Sequence, residues 1–451
     1  MSKFKAIVLA AGLSTRMKSN LPKFLHKLAG KTLVEHVVDT ANDAGADCAV
    51  VVGNQSALVK QTIIDKAQFF TQTNALGTGH AVMSANEFFA EYAGTVVVLF
   101  GADPLITPDT ITKLVETHER ESNAFTIVSV VLDDPLSYGR ILRENGAFKR
   151  IIENNDATAD EKQIKEINTG VCAFDASVLY KALNSLKNNN AKGEYYLTEL
   201  PRIMLEMGLK GGVVVSPNAD EFQGVDTRVD LANATKIMRK RINERHMLNG
   251  VTFIDPDHTY IDFDVQIGVD TEIWANTHIL GKTVIGDNCK IMSGKLTDMS
   301  LGNGVNFENS VAVESEIGNK TSVGPFAYIR PGSKIGDNVK VGDFVEIKKA
   351  NIGNGSKISH LAYVGDCDMG EGVNFSCGAI ISNYDGKNKY RTTIQNGAFI
   401  GCNSNLVSPV NIGEEAYVAA GSTITEDVPN NTLAIARQRQ VIKENWKDKR
   451  N

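Results

Sequence analysis

Two basic residues follow a short apolar run near the start of the chain. Arg16 and Lys23 come after the segment VLAAG, residues 8–12. Small residues let backbone amides approach a ligand, and a glycine-containing loop after a strand can cradle phosphate oxygens. A structural turn needs the glycine but neither cation, so the spacing indicates an anion site. An ordinary turn with solvated cations is the alternative on these residues alone, since neither a P-loop nor a GxGxxG pattern is present.

A second group of polar residues lies in the C-terminal half. His360 is a natural general base because its ordinary pKa is near neutrality, although a lone histidine in a turn is more often structural. Nearby cations favour the functional interpretation and suit an anionic substrate. The cations are Arg330, Lys348 and Lys389.

The N-terminal half alternates apolar strands with helical stretches. This pattern predicts a mostly parallel sheet with helices on both faces, in which ligands bind beyond the carboxyl ends of the strands. The loop that carries Arg16 follows the first strand and therefore belongs to that edge. The predicted strands are 6–9, 48–52, 96–100, 124–131 and 170–174, with helices that include 33–44 and 110–121.

From residue 254 onward an aliphatic residue recurs every six positions, often followed by glycine. This period is too short for a helical repeat and predicts a triangular parallel β-helix with the aliphatic residue inside. The phase breaks after Ile291 and slips by one position after Ile347. The residues in phase are Ile261, Ile267, Ile273, Ile279, Ile285, Ile291, Ile317, Val323, Ile329, Ile335, Val341, Ile347, Ile352, Ile358, Val364, Ile394, Ile400, Leu406, Ile412, Val418 and Ile424.

Between the halves, apolar residues at spacings of three and four predict an amphipathic connecting helix. We therefore expect a domain at 1–226, a linker helix at 227–249 and a β-helix with a C-terminal tail at 250–451. The apolar residues of the helix are Leu231, Ala234, Met238 and Ile242.

Composition narrows the class of protein. The chain has 451 residues, 42% of them hydrophobic and 22% charged, with a net charge of −6. It has no basic block for nucleic acid, no run long enough for a membrane span and no leader pattern. Six cysteines without CxxC spacing predict reduced thiols in the cytoplasm.

The motifs together carry a family resemblance. LAAGLSTRM with LPK resembles the signature of nucleotidyltransferases that join a nucleoside triphosphate to a sugar phosphate. The segments QTNALGTGHA, YGRI, IIENNDA, INTGV, GEYYLTE and GVDTR follow in the order of that family. With the six-residue repeat, nearly the whole chain resembles bifunctional enzymes that combine an N-acetylglucosamine-1-phosphate uridylyltransferase with a glucosamine-1-phosphate N-acetyltransferase.

The resemblance implies a Rossmann-like nucleotidyltransferase domain, then a left-handed parallel β-helix of hexapeptide repeats. It implies that UTP is bound in the first domain, with Arg16 on the triphosphate, Lys23 near the α-phosphate, and Gln72, Gly77 and Thr78 reading the uracil. Leu9, Ala10 and Gly12 complete the implied UTP-binding set. The implied sugar-phosphate residues are Gly139, Glu153, Asn168, Tyr196 and Asp226.

A magnesium ion is implied, but the chain departs from the family at one of its ligands. The family has GDxPL, whereas this chain has GADPL, so Ala102 stands in the position of the aspartate. Because side chains alternate at a strand end, Asp103 would face the other way unless the backbone rearranges. We expect Asp103 and Asp226 to be the metal ligands. Leu13 and Ser14 also depart from the family's loop, which commonly has a basic residue and glycine there.

For the second half the resemblance implies acetyl transfer to an amine, with His360 as the base and oxyanion donors nearby. Hexapeptide-repeat acyltransferases usually form trimers with active sites between subunits, which implies a homotrimer. The implied sugar-phosphate residues are Arg330, Lys348, Tyr363, Asn374 and Lys389. The implied acetyl-CoA residues are Cys377, Asn383, Tyr384, Cys402, Ala420 and Arg437.

Three alternatives stay open. Ala102 could leave an acetyltransferase with an impaired uridylyltransferase site. The chain could be a non-catalytic subunit with both folds, although the retained His360, Arg16, Lys23 and Glu153 argue against this. A hexapeptide-repeat carbonic anhydrase would need a three-histidine metal site, and the histidines of the repeat region, His258, His278 and His360, are too far apart along the β-helix.

Overall fold

The computed structural model describes residues 3–12, 15–53, 56–444 and 446. The chain forms two compact units, Met1–Met238 and Arg239–Asn451. The boundary falls within one long helix, Arg228–Leu248. Leu13 and Ser14, singled out in the nucleotide loop, lie outside the described residues.

The first unit is built on a mostly parallel sheet with strand order β11-β7-β10-β6-β1-β4-β5. Strand β1 pairs in parallel with β4 and β6, whereas β10 is antiparallel to β6 and β7. A bulge between Asn168 and Cys172 interrupts β10. The strands are β1 Phe4–Ala10, β2 Lys27–Leu28, β3 Lys31–Thr32, β4 Ala46–Val52, β5 Gln68–Thr71, β6 Thr95–Phe100, β7 Phe125–Val131, β8 Arg140–Glu144, β9 Ala147–Ile152, β10 Glu166–Asp175 and β11 Gly211–Ser216.

Helices cover both faces of this sheet because β1 alternates its side chains between two cores. Val8 packs in one core with Val34 and Leu114, and Ile7 packs in the other with Phe174. The helices are α1 Leu33–Asp43, α2 Ala57–Thr62, α3 Thr78–Met83, α4 Asn86–Phe89, α5 Pro108–Arg120, α6 Ala176–Leu183, α7 Leu200–Glu206 and α8 Arg228–Leu248; 3-10 turns span Thr15–Met17, Lys23–Leu25, Glu161–Gln163, Leu197–Glu199, Ala219–Phe222 and Pro256–His258. Side chains cap the N-termini of α1, α5 and α6, and at α1 Thr32 and Glu35 form a capping box.

The second unit is a parallel β-helix whose strands stack in three faces. Face A contains Thr252–Phe253, Glu272–Ile273, Ser322–Val323, Lys340–Asp343, Lys357–His360, Asn374–Phe375, Phe399–Ile400, Tyr417–Val418 and Leu433–Ala434. Face B contains Thr259–Ile261, Thr277–Leu280, Tyr328–Ile329, Glu346–Lys348, Tyr363–Gly365, Ile380–Ser382, Asn405–Val407 and Thr423–Ile424. Lys290–Thr297 and Asn306–Val313 bend from face A to face B, and face C contains Gln266–Ile267, Val284–Ile285, Ser300–Leu301, Glu316–Ile317, Lys334–Ile335, Asn351–Ile352, Cys367–Met369, Thr392–Ile394 and Asn411–Ile412.

The six-residue period corresponds to one inward position on each face. Each aliphatic residue pairs with its equivalent one coil later, as Ile329 does with Ile347 and Ile347 with Val364. All of the residues in phase are buried except Ile267, which is partly exposed. The phase slip after Ile347 is a coil of 17 residues in place of 18, seen where Ile335 pairs with Ile352.

The corner between faces A and B has a left-handed backbone conformation in successive coils. Asn309, Gly378 and Asn403 occupy this conformation at little cost, as such residues usually do. In the three coils between Asn309 and Gly378 the same place is taken by Phe326, Phe344 and Leu361, with φ of 60°, 55° and 46°. We call these three the apolar corner.

An inserted loop leaves the β-helix between faces B and C. Met369 pairs with Ile394, 25 positions later, so this coil is longer than its neighbours. The loop includes Asn383, Tyr384 and Lys389, and a bridge joins Tyr384 to Lys389.

Candidate functional sites

A cavity of about 790 Å³ opens at the carboxyl ends of the first unit's parallel strands. One side of it carries Arg16, Lys23, Asp103 and Asp226. The opposite side carries polar groups from the loops and strands around β8–β10. The cavity is lined by seven of the residues expected to bind UTP or sugar phosphate: Arg16, Lys23, Thr78, Gly139, Glu153, Asn168 and Asp226. The expected metal ligand Asp103 also lines it.

Asp226 joins the two cations of the cavity. Its carboxylate accepts a hydrogen bond from Lys23 Nζ at 2.7 Å and pairs with Arg16 Nη2 at 2.9 Å. The Lys23 side chain is 14% exposed and that of Arg16 is 67% exposed, so Lys23 is the better fixed of the two. The cluster can exchange its internal ion pairs for an anion, because both cations face the cavity.

The position of Asp226 is fixed by the start of helix α8. Asp230 Oδ2 accepts hydrogen bonds from the backbone N–H of Asp226 at 3.2 Å and of Thr227 at 2.8 Å. The Thr227 hydroxyl donates to the same oxygen at 2.8 Å. This N-terminal cap holds the segment before the helix, and Asp230 itself lines the cavity.

A turn after β6 places Asp103, not Ala102, against Asp226. The Asp103 N–H donates to the Phe100 carbonyl at 3.0 Å, and the buried Ala102 accepts the Val225 N–H at 2.9 Å. Asp103 Oδ1 lies so close to Gly224 that a Cβ there would be 2.8 Å away. The turn replaces the strand alternation that would otherwise direct this carboxylate to the other face.

The electrostatics of Asp103 indicate a place for a cation. Burial raises the pKa of Asp103 to about 7; Lys23 opposes this shift and the Asp226 charge adds to it. Among the described residues no group of three or more His, Cys, Asp or Glu side chains forms a metal site. Two converging carboxylates fit a hard divalent cation whose remaining ligands are phosphate oxygens and water.

The segment expected to read uracil is folded tightly beside the cavity. Gln72 Nε2 donates to the Gly77 carbonyl at 3.0 Å, and Thr78 Oγ1 accepts the Leu197 N–H at 3.0 Å. Gly77 has φ of 105°, and a Cβ there would lie 2.6 Å from the Tyr195 carbonyl oxygen, so only glycine fits. Gln72 and Gly77 are not among the cavity-lining residues, nor are Leu9, Ala10, Gly12 and Tyr196.

The opposite wall presents hydrogen-bonding groups suited to a sugar. Thr198 Oγ1 donates to Glu153 at 2.9 Å, and burial raises the pKa of Glu153. The Asn168 N–H donates to the Gly139 carbonyl at 2.8 Å at the bulge of β10. Tyr196 lies buried behind this wall, where burial and acidic neighbours raise its pKa to about 12.

Lys192 and Asp230 line the cavity but lie outside the sequence motifs, and Tyr138 lies within YGRI without a role assigned from the sequence. Tyr138 also lines the cavity and donates to the Phe222 carbonyl at 3.1 Å. The only signal for Lys192 and Asp230 in the sequence is proximity to the motifs, since Lys192 precedes GEYYLTE and Asp230 follows GVDTR by two positions.

In the second unit His360 is paired with a residue that the sequence does not single out. His360 Nδ1 lies within hydrogen-bonding distance of Asp343, its registered partner one coil earlier. This bond holds the pKa of Asp343 below its usual range. The His360 side chain is 53% exposed, so its other ring nitrogen can meet a substrate from solvent.

The expected sugar-phosphate residues of this unit lie mainly along face B. Arg330 Nη1 donates to Glu346 at 2.8 Å, and the Tyr363 ring lies against Gly365, the registered partner of Lys348. The amine of Lys389 lies within interaction distance of Lys348, and this neighbour lowers the pKa of Lys348. Two adjacent cations disfavour each other's charged form, and a bound anion would relieve that repulsion.

The inserted loop holds Lys389 at this place. Asn383 Nδ2 donates to Asp366 Oδ2 at 2.5 Å, and Arg391 pairs with Asp368 and donates to the Lys349 carbonyl at 2.9 Å. These anchors lie on both sides of the loop, so they fix its path across the coil. The Tyr384 hydroxyl donates within the loop, to Gly386 at 2.6 Å.

Other expected residues lie on a different face or corner. Asn374 pairs with Lys357 and Phe399 on face A, away from the Lys348 position on face B. Cys377, Cys402 and Ala420 occupy the position equivalent to His360 in the coils that follow it, at the corner between faces A and B. Arg437 lies near Gly421, with its Cδ 3.9 Å from where a Cβ on that glycine would be. A single chain therefore spreads these residues around one edge of the β-helix.

Comparison with known protein families gives a match in each of the two units. The family model described as MobA-like NTP transferase domain matches residues 6–155, and the model described as bacterial transferase hexapeptide (six repeats) matches residues 314–349. With the stacked parallel strands, these matches confirm the predicted fold class. No helix among the described residues has the length and apolarity needed to cross a membrane.

Curated relatives match along the full length. A protein of Caldanaerobacter subterraneus subsp. tengcongensis named Bifunctional protein GlmU is 51% identical, covering 100% of this chain and 99% of its own. The protein of the same name from Clostridioides difficile is 48% identical, covering 99% and 98%. That from Geobacillus sp. is 50% identical, covering 100% and 98%.

Proposed function

The chain belongs to the GlmU family of bifunctional proteins, and on that basis we propose that it makes UDP-N-acetylglucosamine in two steps. An acetyl group passes from acetyl-CoA to the amine of glucosamine 1-phosphate. UTP then reacts with N-acetylglucosamine 1-phosphate, releasing pyrophosphate. The observation that carries this proposal is that one chain holds two sites of the required chemistry, in separate units.

In uridylyl transfer the sugar phosphate attacks the α-phosphorus and pyrophosphate leaves. Catalysis depends mainly on alignment and charge neutralisation. Lys23, held by Asp226, is placed to meet the α-phosphate, and the more exposed Arg16 to meet the triphosphate tail. Leu9, Ala10 and Gly12 offer backbone atoms to the nucleotide, while Gln72, Gly77 and Thr78 select uracil.

The opposite wall of the cavity binds the amino sugar. Glu153 and Asn168 offer oxygen and amide groups, and the Gly139 backbone packs closely beside them. The raised pKa of Glu153 favours a carboxyl that exchanges hydrogen bonds with sugar hydroxyls. Tyr196 supports this wall from behind.

Magnesium fits this cavity through Asp103 and Asp226. A bound ion supplies alignment of the phosphates and neutralisation of their charge. The turn that brings Asp103 to Asp226 compensates for Ala102, so we favour an active uridylyltransferase over an impaired one.

Acetyl transfer uses His360 as general base. The Asp343 contact at Nδ1 orients the ring, which leaves Nε2 to accept the proton of the attacking amine. Arg330, Lys348 and Lys389 bind the sugar phosphate, and Tyr363 and Asn374 orient the sugar. Cys377, Asn383, Tyr384, Cys402, Ala420 and Arg437 form the surface for acetyl-CoA.

The active assembly is a homotrimer working in the cytoplasm. The apolar corner supports association, because Phe326, Phe344 and Leu361 are 59%, 57% and 58% exposed and the two phenylalanine rings stack with centroids 5.5 Å apart. Association would also reunite residues that one chain spreads over faces A and B. We assign 1–226 to the uridylyltransferase domain, 227–249 to a linker helix and 250–451 to the acetyltransferase domain.

Two assays on one preparation test the proposal. Release of coenzyme A thiol from acetyl-CoA with glucosamine 1-phosphate measures the first reaction. Release of pyrophosphate from UTP with N-acetylglucosamine 1-phosphate and magnesium measures the second. Thiol release alone would favour the impaired alternative, and absence of both activities would favour a non-catalytic subunit.

A further inference from the structure

Two cysteines occupy equivalent positions in successive coils of the β-helix. Phe375 pairs with Ile400, and the Asn403 N–H donates to the Cys377 carbonyl at 2.9 Å. This ladder continues the register and places Cys402 directly beside Cys377. Both thiols are free, and both are more accessible than the four buried cysteines: Cys402 is exposed and Cys377 is partly so.

The spacing of the coils suits a covalent link. Neighbouring parallel strands lie about 4.8 Å apart. Disulfides join Cα atoms that are roughly 4.4–6.8 Å apart. Because both residues stand at the same outward corner, their side chains leave the backbone on the same side.

The same column contains the base proposed for acetyl transfer. The Gly378 N–H donates to the His360 carbonyl at 3.3 Å, which places Cys377 one coil after His360. The order along the corner is therefore Asp343, His360, Cys377, Cys402. Any change at the two thiols therefore occurs next to the hydrogen-bonded pair of Asp343 and His360.

We propose that Cys377 and Cys402 form a dithiol modification site that low-molecular-weight disulfides oxidise to an intramolecular disulfide. The Cys402 thiolate attacks one sulfur of R–S–S–R, and one R–SH leaves after protonation. The Cys377 thiolate then attacks the Cys402 sulfur and releases the second R–SH. Two protein thiols are oxidised, one external disulfide is reduced to two thiols, and a thiol reductant reverses the exchange.

Oxidation should act on one activity only. The expected loss of acetyl transfer rests on the proposed function, because the bridge fixes two side chains in the surface assigned to acetyl-CoA. The uridylyl cavity contains Cys172, but this thiol is buried, and burial raises its pKa, so it offers little thiolate for exchange.

Oxidised glutathione added to the reduced full-length protein tests the site. We expect a peptide pair crosslinked through Cys377 and Cys402 by mass spectrometry, a loss of acetyl transfer of at least about tenfold, unchanged uridylyl transfer, and recovery with dithiothreitol. Cys377→Ser should form no bridge and stop at the mixed disulfide on Cys402, because no second thiol resolves it, and Cys402→Ser should likewise form no bridge. Cys48→Ala, at a buried thiol of β4, should respond as the unsubstituted protein does.

Several outcomes overturn the proposal. Absence of the crosslink, or accumulation of mixed disulfides without it, rejects the dithiol site. A crosslink that leaves acetyl transfer unchanged rejects its effect on activity. If the reduced protein has no acetyl transfer at all, the proposed function fails, while the mass measurement still decides whether the bridge forms.

Discussion

At the scale of residues, the sequence selects His360 but not its partner. Asp343 lies 17 positions earlier, which is one coil in this part of the β-helix. Nothing in the local sequence distinguishes it from other surface aspartates, because the contact depends on coil length. His360 could be predicted from its residue type and its basic neighbours, whereas its orientation required the structure.

His360→Ala should lower acetyl transfer by about 10²–10⁴-fold and leave uridylyl transfer unchanged, because the loss of a general base affects only its own unit. Asp343→Asn should lower acetyl transfer less, since the ring stays in place. His258→Ala is a matched control: His258 pairs with Asp255 at 2.8 Å but lies outside the proposed site. Steady-state assays of both reactions measure these effects. Equal loss of both activities in His360→Ala would contradict this assignment.

Asp103→Ala should lower uridylyl transfer by about 100-fold at saturating magnesium, because one of two carboxylates for the ion is removed. Asp133→Ala is the control, since Asp133 is exposed and pairs with Lys165 at 3.2 Å outside the cavity. Pyrophosphate release, titrated with magnesium, is the measurement. A silent Asp103→Ala combined with a gain in Ala102→Asp would show that position 102 remains the natural ligand position.

At the scale of elements, the sequence predicts the strands and the six-residue repeats, but it does not predict the backbone conformation where the strands end. The six-residue period identifies inward residues because burial on each face imposes it. The sequence predicts that Asp103 faces the other way unless the backbone rearranges, and the turn at Gly101–Asp103 supplies that rearrangement. Such a turn depends on hydrogen bonds to Phe100 and Val225, one of which is distant in sequence.

The cap of α8 should connect stability with uridylyl transfer. Asp230→Ala removes the acceptor for Asp226 and Thr227, and we expect a loss of about 1 kcal/mol in unfolding free energy and weaker uridylyl transfer. Asp175→Ala removes a similar cap on α6, where Asp175 accepts the Val178 N–H at 3.1 Å. That control should lose stability without a matching loss of activity. Denaturant titration and pyrophosphate release separate the two effects, and equal activity in both variants would contradict the positioning role.

His246 in α8 should make the second unit sensitive to acid. Burial, with Arg245 nearby, lowers the pKa of His246 from 6.5 to about 4. Between these pH values the unfolded chain binds a proton that the folded chain does not, so stability falls as the pH is lowered. The full effect is roughly 3 kcal/mol by pH 4. Unfolding free energies measured at pH 7 and pH 5 should differ less in His246→Leu, while His278→Gln, at an exposed histidine, keeps the original difference.

At the scale of the whole molecule, the two units and their order along the chain can be predicted from two sequence periods. The association of subunits cannot be predicted from those periods. The amino-acid pattern shows which residues point outward but gives no direct measure of what covers them. The apolar corner is visible only when residues 326, 344 and 361 are placed in one column.

Phe344→Asp should shift the assembly toward monomers and lower acetyl transfer, because a charge enters the centre of the apolar corner. Uridylyl transfer should persist, since its cavity is complete within one chain. Val284→Asp places the same charge on face C and serves as control. Sedimentation velocity and both assays are the measurements. A stable monomer of the unsubstituted protein with full acetyl transfer would contradict the trimer.

The apolar corner also has a consequence for how this sequence can change. A left-handed backbone costs a residue with a side chain about 1–2 kcal/mol, and glycine escapes that cost. Three adjacent coils therefore retain conformational strain that replacement by glycine would relieve in an isolated subunit. Selection for subunit stability alone would remove Phe326, Phe344 and Leu361, so their joint presence indicates that an opposing selective pressure acts on this corner.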